Sequence, residues 1–248
     1  GGIGIGYEQA GYEHVLSADF DTGVAKTFRH NNKNVPFIEG DLSDKSIFEN
    51  VKNVVGKKEI DIIVGGPPCQ GFSMFGKRRF VKSQSHNPHD DIRNDLIFTY
   101  LKYVEEFNPK WFMMENVAGL VNLADGYFLE NFIERVKELG YNNYDYKIIN
   151  TADYGVPQKR KRFIFLANRT GNIIPWPKPK FYSNPEDWEK PYRNINQVIT
   201  GLETAKSQTK LNNHTPMNHS PEVVERFSYI KEGCKINPDD LPEHLKYS

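Results

Sequence analysis

What this chain has little of narrows its function first. Of its 248 residues only Cys69 and Cys234 are cysteines, so a disulfide-stapled extracellular scaffold has no basis and a reducing, cytoplasmic setting is expected. A structural metal site is not expected either. No Cys-x-x-Cys occurs, and His214 and His219 have only the distant Cys234 as a sulfur ligand. Nothing near the start reads as a signal peptide, and no run is apolar enough for a membrane span. An initiator Met is missing and the chain opens inside a glycine-rich turn, so a fragment of a longer protein is expected. Excess charge is lacking as well: 32 Lys and Arg face 32 Asp and Glu. With no bulk positive field, a polyanion would have to be held by local patches. Two segments offer them, Lys77-Arg78-Arg79 with Lys82 and Lys159-Arg160-Lys161-Arg162, though such runs also occur as solvated surface.

What is present suits a folded protein, with 38% hydrophobic residues, 16 Phe and 13 Tyr. Short runs rich in Val, Ile and Phe alternate with segments of helical period, the pattern of strand-helix-strand units. Strands are expected over 14–20, 35–39, 60–65 and 110–115, and helices over 22–30, 45–55, 96–107 and 128–139, the last stopped by Gly140. Two further strands, 144–150 and 162–167, are joined by a link containing Gly155 and Pro157 and read as a hairpin at one sheet edge. The fold class is therefore α/β, a mostly parallel sheet with an antiparallel hairpin at one edge. Composition changes after residue 170, where five prolines fall between Pro175 and Pro191. That divides a domain over 1–170 from a linker and further region over 171–248, in which only Glu222 to Lys231 reads as a helix, opened by Ser220-Pro221.

In open parallel sheets ligands gather at the carboxyl ends of the strands. Here those ends carry Asp19-Phe20, Asp41-Leu42, Gly65-Gly66-Pro67-Pro68-Cys69 and Glu115-Asn116. Asp19 and Asp41 either cap the next helix or accept from ribose hydroxyls and an adenine amine, with Phe20 and Leu42 as apolar walls. The opening Gly1-Gly2-Ile3-Gly4-Ile5-Gly6 lacks the spacing of a dinucleotide fingerprint. Cys69 is the sharper feature: Gly-Gly-Pro-Pro stiffens the backbone before it, presenting a thiol from a turn, and as a thiolate it would be a nucleophile. Glu115 ends the apolar run Trp111-Phe112-Met113-Met114, which places a carboxyl group in a partly dry pocket as a proton donor or bidentate hydrogen-bond partner. The bland alternative is a Glu paired with an Arg. Gln158, Arg160 and Arg162 alternate, so all three would project to one face, an amide and two guanidinium forks for a base edge or phosphates.

In order and spacing these segments resemble the cytosine-C5 DNA methyltransferases of bacterial restriction-modification type. Residues 1–11 look like the back half of the family's first motif, and Asp19-Phe20 and Asp41-Leu42 like its second and third. Residues 66–73 are similar to its nucleophile loop, Arg93-Asn94-Asp95-Leu96 to a cofactor-touching segment, Glu115-Asn116-Val117 to its Glu-Asn-Val block, and Gln158 to Arg162 to its Gln-x-Arg-x-Arg block. The likeness spans roughly residues 1–168, with a weaker echo in Asn213-His214 and Ser220 to Gly233.

The resemblance implies an S-adenosylmethionine-dependent methyltransferase of Rossmann-like fold acting on double-stranded DNA. Cys69, Glu115, Arg160 and Arg162 would be catalytic. Gly2, Ile3, Asp19, Phe20, Asp41, Leu42, Pro67 and Leu96 would hold the cofactor, and Ser73, Asn116, Gln158, Lys77, Arg78 and Arg79 would contact the DNA. The family's target-recognition region and last two motifs would lie beyond Ser248, so a second polypeptide supplying them is expected, or else a monomer. The nearest alternative is a tRNA cytosine-C5 methyltransferase of the same fold. Gly71-Phe72-Ser73 favours the DNA type, since the tRNA type usually has Pro-Phe-Thr there. A non-catalytic relative is the other alternative, and the intact Cys69, Glu115, Arg160 and Arg162 argue against it.

Overall fold

A computed structural model describes residues 1–68, 95–200, 217–231 and 233–246. The described chain divides into two compact units, Gly1–Ile195 and Asn196–Ser248.

The first unit opens on α1 (Gly2–Gln9), followed by β1 (Ser17–Asp19), α2 (Thr22–Asn31), β2 (Phe37–Glu39), α3 (Lys45–Val55) and β3 (Ile62–Gly65). Beyond residue 94 come α4 (Asp95–Phe107), β4 (Trp111–Val117), a 3-10 segment over Ala118–Gly126, α5 (Tyr127–Glu138), β5 (Asn143–Asn150) and β6 (Lys161–Asn168). Short strands β7 (Phe181–Tyr182) and β8 (Lys190–Pro191) complete it. Local chemistry sets the boundaries. Asp21 caps α2 by accepting from Val24 N at 2.8 Å, and Asp44 caps α3 by accepting from Ser46 N at 2.6 Å, satisfying N–H groups that a helix start leaves unpaired. Gly140 follows α5 with φ 87°, and the next amide, Tyr141 N, donates back to Val136 O at 3.1 Å, as the expected stop requires.

β1 and β2 pair in parallel, Ala18 opposite Ile38. β3 and β4 also pair in parallel, Gly65 opposite Met114. β6 then returns antiparallel to β4, and β5 closes the edge as the other arm of the hairpin, giving the order β3-β4-β6-β5. Along β4 the burial alternates strictly, with Phe112, Met114 and Asn116 buried, so one face of the sheet meets the main core. That core joins Ile97, Leu101 and Val104 of α4, Phe132 and Val136 of α5, and Phe163 and Phe165 of β6. A second cluster packs Ile38, Val51 and Val55 with Tyr103, tying β2 and α3 to α4.

The glycine-rich opening, expected as a turn, is helical as α1. Glycine is a poor helix former, by roughly 0.5–1 kcal/mol relative to alanine. Its use at Gly4 is steric: a Cβ there would lie 2.7 Å from His14 Cε1, and His14 is held by Glu8 Oε1 at 2.6 Å and Ser17 Oγ at 2.8 Å.

The proline-rich stretch from 171 to 195 runs as a strap against the hairpin. Trp176 Nε1 donates to Asp145 Oδ2 at 2.6 Å, Lys180 N to Asp153 O at 2.8 Å, and Tyr192 Oη to Asp153 Oδ1 at 2.5 Å. Among its described residues the second unit carries the α-helices α6 (Asn196–Ile199) and α7 (Pro221–Ser228). Ser220 precedes α7 as expected, but its side chain makes no capping hydrogen bond, and Pro221 occupies the first turn.

Candidate active site

β3 and β4 end side by side, and their carboxyl ends bring Gly65-Gly66-Pro67-Pro68 beside Glu115. A Cβ on Gly66 would stand 3.1 Å from Glu115 Oε2, so the carboxyl group lies directly against this turn. Arg162 Nε donates to Glu115 Oε1 at 2.7 Å, the two side chains being 20% and 30% exposed. The contact follows from the register. Glu115 opposes Ile164, with Arg162 opposite Val117, which makes Arg162 and Glu115 diagonal neighbours on one face. The pairing left open in the sequence is thus formed, in a setting dry enough for a charge-assisted bond to hold orientation.

Asn116, one residue on, points to the opposite face and is 2% exposed. Its Nδ2 reaches Pro67 O at 3.5 Å and its Oδ1 accepts from Val117 N at 2.8 Å, so the amide is engaged with the protein's own turn. Gln158 and Arg160 precede β6 and are exposed. Their carbonyls are fixed by Thr151, which donates from Oγ1 to Gln158 O at 2.7 Å and from N to Arg160 O at 3.0 Å. Cys69, Ser73, Lys77, Arg78 and Arg79 lie outside the described residues.

Beneath the turn sits Tyr100 of α4, which sequence reasoning missed. Its hydroxyl lies 3.1 Å from Ile63 O and 3.0 Å from Met113 O, spanning β3 and β4, and burial pushes its phenol well above the ordinary range. A Cβ at Gly65 would lie 2.6 Å from its ring. Nothing local distinguishes Tyr100 in the sequence, because its acceptors come from two other strands.

The other candidates gather at the ends of β1 and β2. Asp19 is the last residue of β1, and Asp41 lies two residues past the end of its parallel neighbour β2. Asp19 Oδ1 accepts from Asp21 N at 3.0 Å. Asp41 Oδ1 accepts from Ser43 N at 2.8 Å and Ser43 Oγ at 2.7 Å, bonds that hold its carboxyl below the usual carboxylate range. Phe20 is 70% exposed beside them. Leu42, in contrast, packs against the second core cluster, and its carbonyl accepts from Tyr103 Oη at 2.9 Å. Gly2 and Ile3 lie in the first turn of α1, and Leu96 lies half-buried near the start of α4. Among the described residues no cluster of His, Cys, Asp and Glu is placed to hold a metal ion, and no helix is long and apolar enough to cross a membrane.

A carboxylate clamped by an arginine beside a Gly-Pro-Pro turn, with acids at the ends of neighbouring parallel strands, stands where an open α/β sheet gathers its ligands. The profile of C-5 cytosine-specific DNA methylases matches residues 1–245, and the chain belongs to that family. It is 34% identical over 250 residues to the Type II methyltransferase M1.HphI of Haemophilus parahaemolyticus, covering 99% of this chain and 62% of that protein. It is 34% identical over 223 residues to M.AquIA of Picosynechococcus, covering 83% of this chain and 86% of the relative. Among solved structures it resembles a protein described as a DNA modification methyltransferase encoded within an E. coli prophage, with TM-score 0.53 and 26% identity over 68% of this chain and 43% of that one. The chain thus spans less than two thirds of the length of M1.HphI and of the prophage protein.

Proposed function

We propose that this chain is the catalytic part of a DNA (cytosine-5)-methyltransferase of a restriction-modification system, acting on a cytosine flipped out of double-stranded DNA. The observation that carries the reading is the Glu115–Arg162 pair set against Gly66, three residues before Cys69. A carboxyl group held there suits the N3 and exocyclic amine edge of a flipped pyrimidine, an edge reachable only once the base has left the stack. Cys69 would add through its thiolate to C6, giving C5 enamine character. Arg162 would orient Glu115 and meet the base oxygen, with Arg160 supporting the loop. S-adenosylmethionine would supply an electrophilic methyl group to C5, its sulfonium S–CH3 bond breaking to leave S-adenosylhomocysteine. Loss of the C5 proton and expulsion of the thiolate would then release 5-methylcytosine.

The residues fit that cofactor. Asp19 and Asp41 at neighbouring strand ends suit ribose hydroxyls and an adenine amine, the Asp41 carboxyl being held below the usual range by its bonds from Ser43, and the exposed ring of Phe20 offers a stacking surface. Lys77, Arg78 and Arg79 would meet phosphates, and Ser73 and Gln158 the DNA near the base. Residues from 171 onward would lead into target recognition. A second polypeptide completing that function is part of the reading, supported by the match to 86% of M.AquIA, a relative little longer than its aligned part.

The test is Cys69→Ser in the enzyme with its complete complement of chains. Methyl transfer to duplex DNA, and covalent trapping by DNA carrying 5-fluorocytosine, should both disappear. Retained product would rule out the thiol mechanism, and transfer to tRNA in preference to DNA would overturn the substrate.

A further inference from the structure

The strap has a second side to its contacts. Phe181 lies so close to Gly155 that a Cβ there would stand 2.7 Å from Phe181 Cε2, and Gly155 has φ +90°. The Tyr192 hydroxyl donates to Asp153 Oδ1 at 2.5 Å and accepts from Asn150 Nδ2 at 3.2 Å. Asn150 Nδ2 also donates to Asp153 Oδ1 at 3.2 Å, so the three side chains close a ring of hydrogen bonds. The bond to Asp153 raises the Tyr192 phenol above its ordinary range. Lys159 Nζ lies 5.8 Å from the centre of the Tyr192 aromatic ring.

This ring grips the turn that sets the entry to β6. Asn150 pairs with Lys161, and Ile149 with Arg162. Thr151, next to Asn150, binds the carbonyls of Gln158 and Arg160. The chain of contacts therefore runs from Tyr192 through Asn150 and Asp153 to Thr151, then along 158–162 to the guanidinium that holds Glu115.

We propose that Tyr192 is a positioning residue for the Glu115–Arg162 pair, acting through Asn150 and Asp153 to fix the backbone from which Arg162 projects. The proposal rests on the reading of that pair as the base-holding group. Tyr192→Phe removes one hydroxyl and keeps the ring against Lys159, so the fold should survive with Tm lowered by only a few degrees. Small displacements of positioned groups can lower turnover by factors approaching a hundred, and for this variant kcat should fall about tenfold while KM for DNA changes less than about twofold. In an Arg162→Ala background the same change should have no further effect on kcat, because the residue through which it acts is gone.

A second readout needs no activity. The Arg162 Nε–H signal, followed by nitrogen-15 NMR, should exchange slowly in the wild type and markedly faster in Tyr192→Phe. Equal kcat losses in both backgrounds, or an Arg162 signal that Tyr192→Phe leaves unchanged, would overturn the proposal. Absence of DNA methylation by the wild-type enzyme would overturn the functional reading instead, and the NMR comparison would still decide the positioning role.

Discussion

We predict that Gly65→Ala destabilises the protein through a single aromatic ring. The new Cβ would lie 2.6 Å from Tyr100 Cε2 and 2.8 Å from Cδ2. A free ring would swing aside, but this one is tethered by a hydroxyl 3.1 Å from Ile63 O and 3.0 Å from Met113 O and packs edge-on to Phe112 at 6.1 Å. Overpacking of such a site costs about 1–3 kcal/mol, and losing the hydroxyl's hydrogen bond adds about 1 kcal/mol. For a chain of this size each kcal/mol corresponds to about 2–4 °C, so Tm should fall by about 4–16 °C. The assay is thermal and urea unfolding of Gly65→Ala, Tyr100→Leu and the double variant. Tyr100→Leu is destabilising by itself, yet it vacates the space, so within it Gly65→Ala should cost less than about 0.5 kcal/mol. Equal costs in both backgrounds, or a single variant as stable as the wild type, would refute the reasoning.

The remaining expectations concern neighbouring groups. Gly66→Ala places a methyl 3.1 Å from Glu115 Oε2 without a positive φ to strain; kcat should drop about tenfold or more with a small change in Tm, and unchanged turnover would place the carboxyl elsewhere during the reaction. Asp19→Ala should weaken S-adenosylmethionine binding by about tenfold or more, the worth of hydrogen bonds to a charged group, and an unaltered calorimetric Kd would remove Asp19 from the pocket. Burial, and then the charge of Asp41, raises the Tyr103 phenol from 10.0 to about 12. Because the folded value is the higher one, its contribution is complete below pH 10 and is lost as pH rises through 12. Urea midpoints measured from pH 9 upward should therefore fall more steeply for the wild type than for Tyr103→Phe, and parallel curves would contradict this.

Much of the fold was legible because its signals are local. Helical period placed α2 and α3, Gly140 ends α5, and the Gly155-Val156-Pro157 link separates two β-rich runs, although the caps are Asp21 and Asp44 and not Asp19 or Asp41. The strands at 17–19 and 37–39 came out shorter than their apolar runs, since pairing, which no single run encodes, decides where a strand stops. The glycines of α1 read as a turn because helix propensity was weighed without knowing that His14 would occupy the space beside Gly4. At the site, the segments bearing Glu115 and Arg162 stood out, but their contact depends on the β4–β6 register. Asn116 was expected to face the DNA. Its adjacency to Glu115 puts it on the other side of the pleat, where it meets Pro67 O. Tyr100 and Tyr192 left no trace in the sequence, because the side-chain and strand partners that give each its place lie far along the chain, at Ile63 and Met113 for the one and at Asn150 and Asp153 for the other.

The strap also bears on how the protein can be shortened. β5 is the last strand of its sheet, with Tyr146 37% and Ile148 48% exposed. The composition break at residue 170 invites trimming there, yet a cut at that point would strip Trp176 from Asp145, and Asn172 from Asn143 and Asn168. The cut would uncover the Asn143–Asp145 end of an eight-residue edge strand, the kind of margin onto which a second molecule adds a strand of its own. A product truncated there would therefore gain a tendency to polymerise side by side.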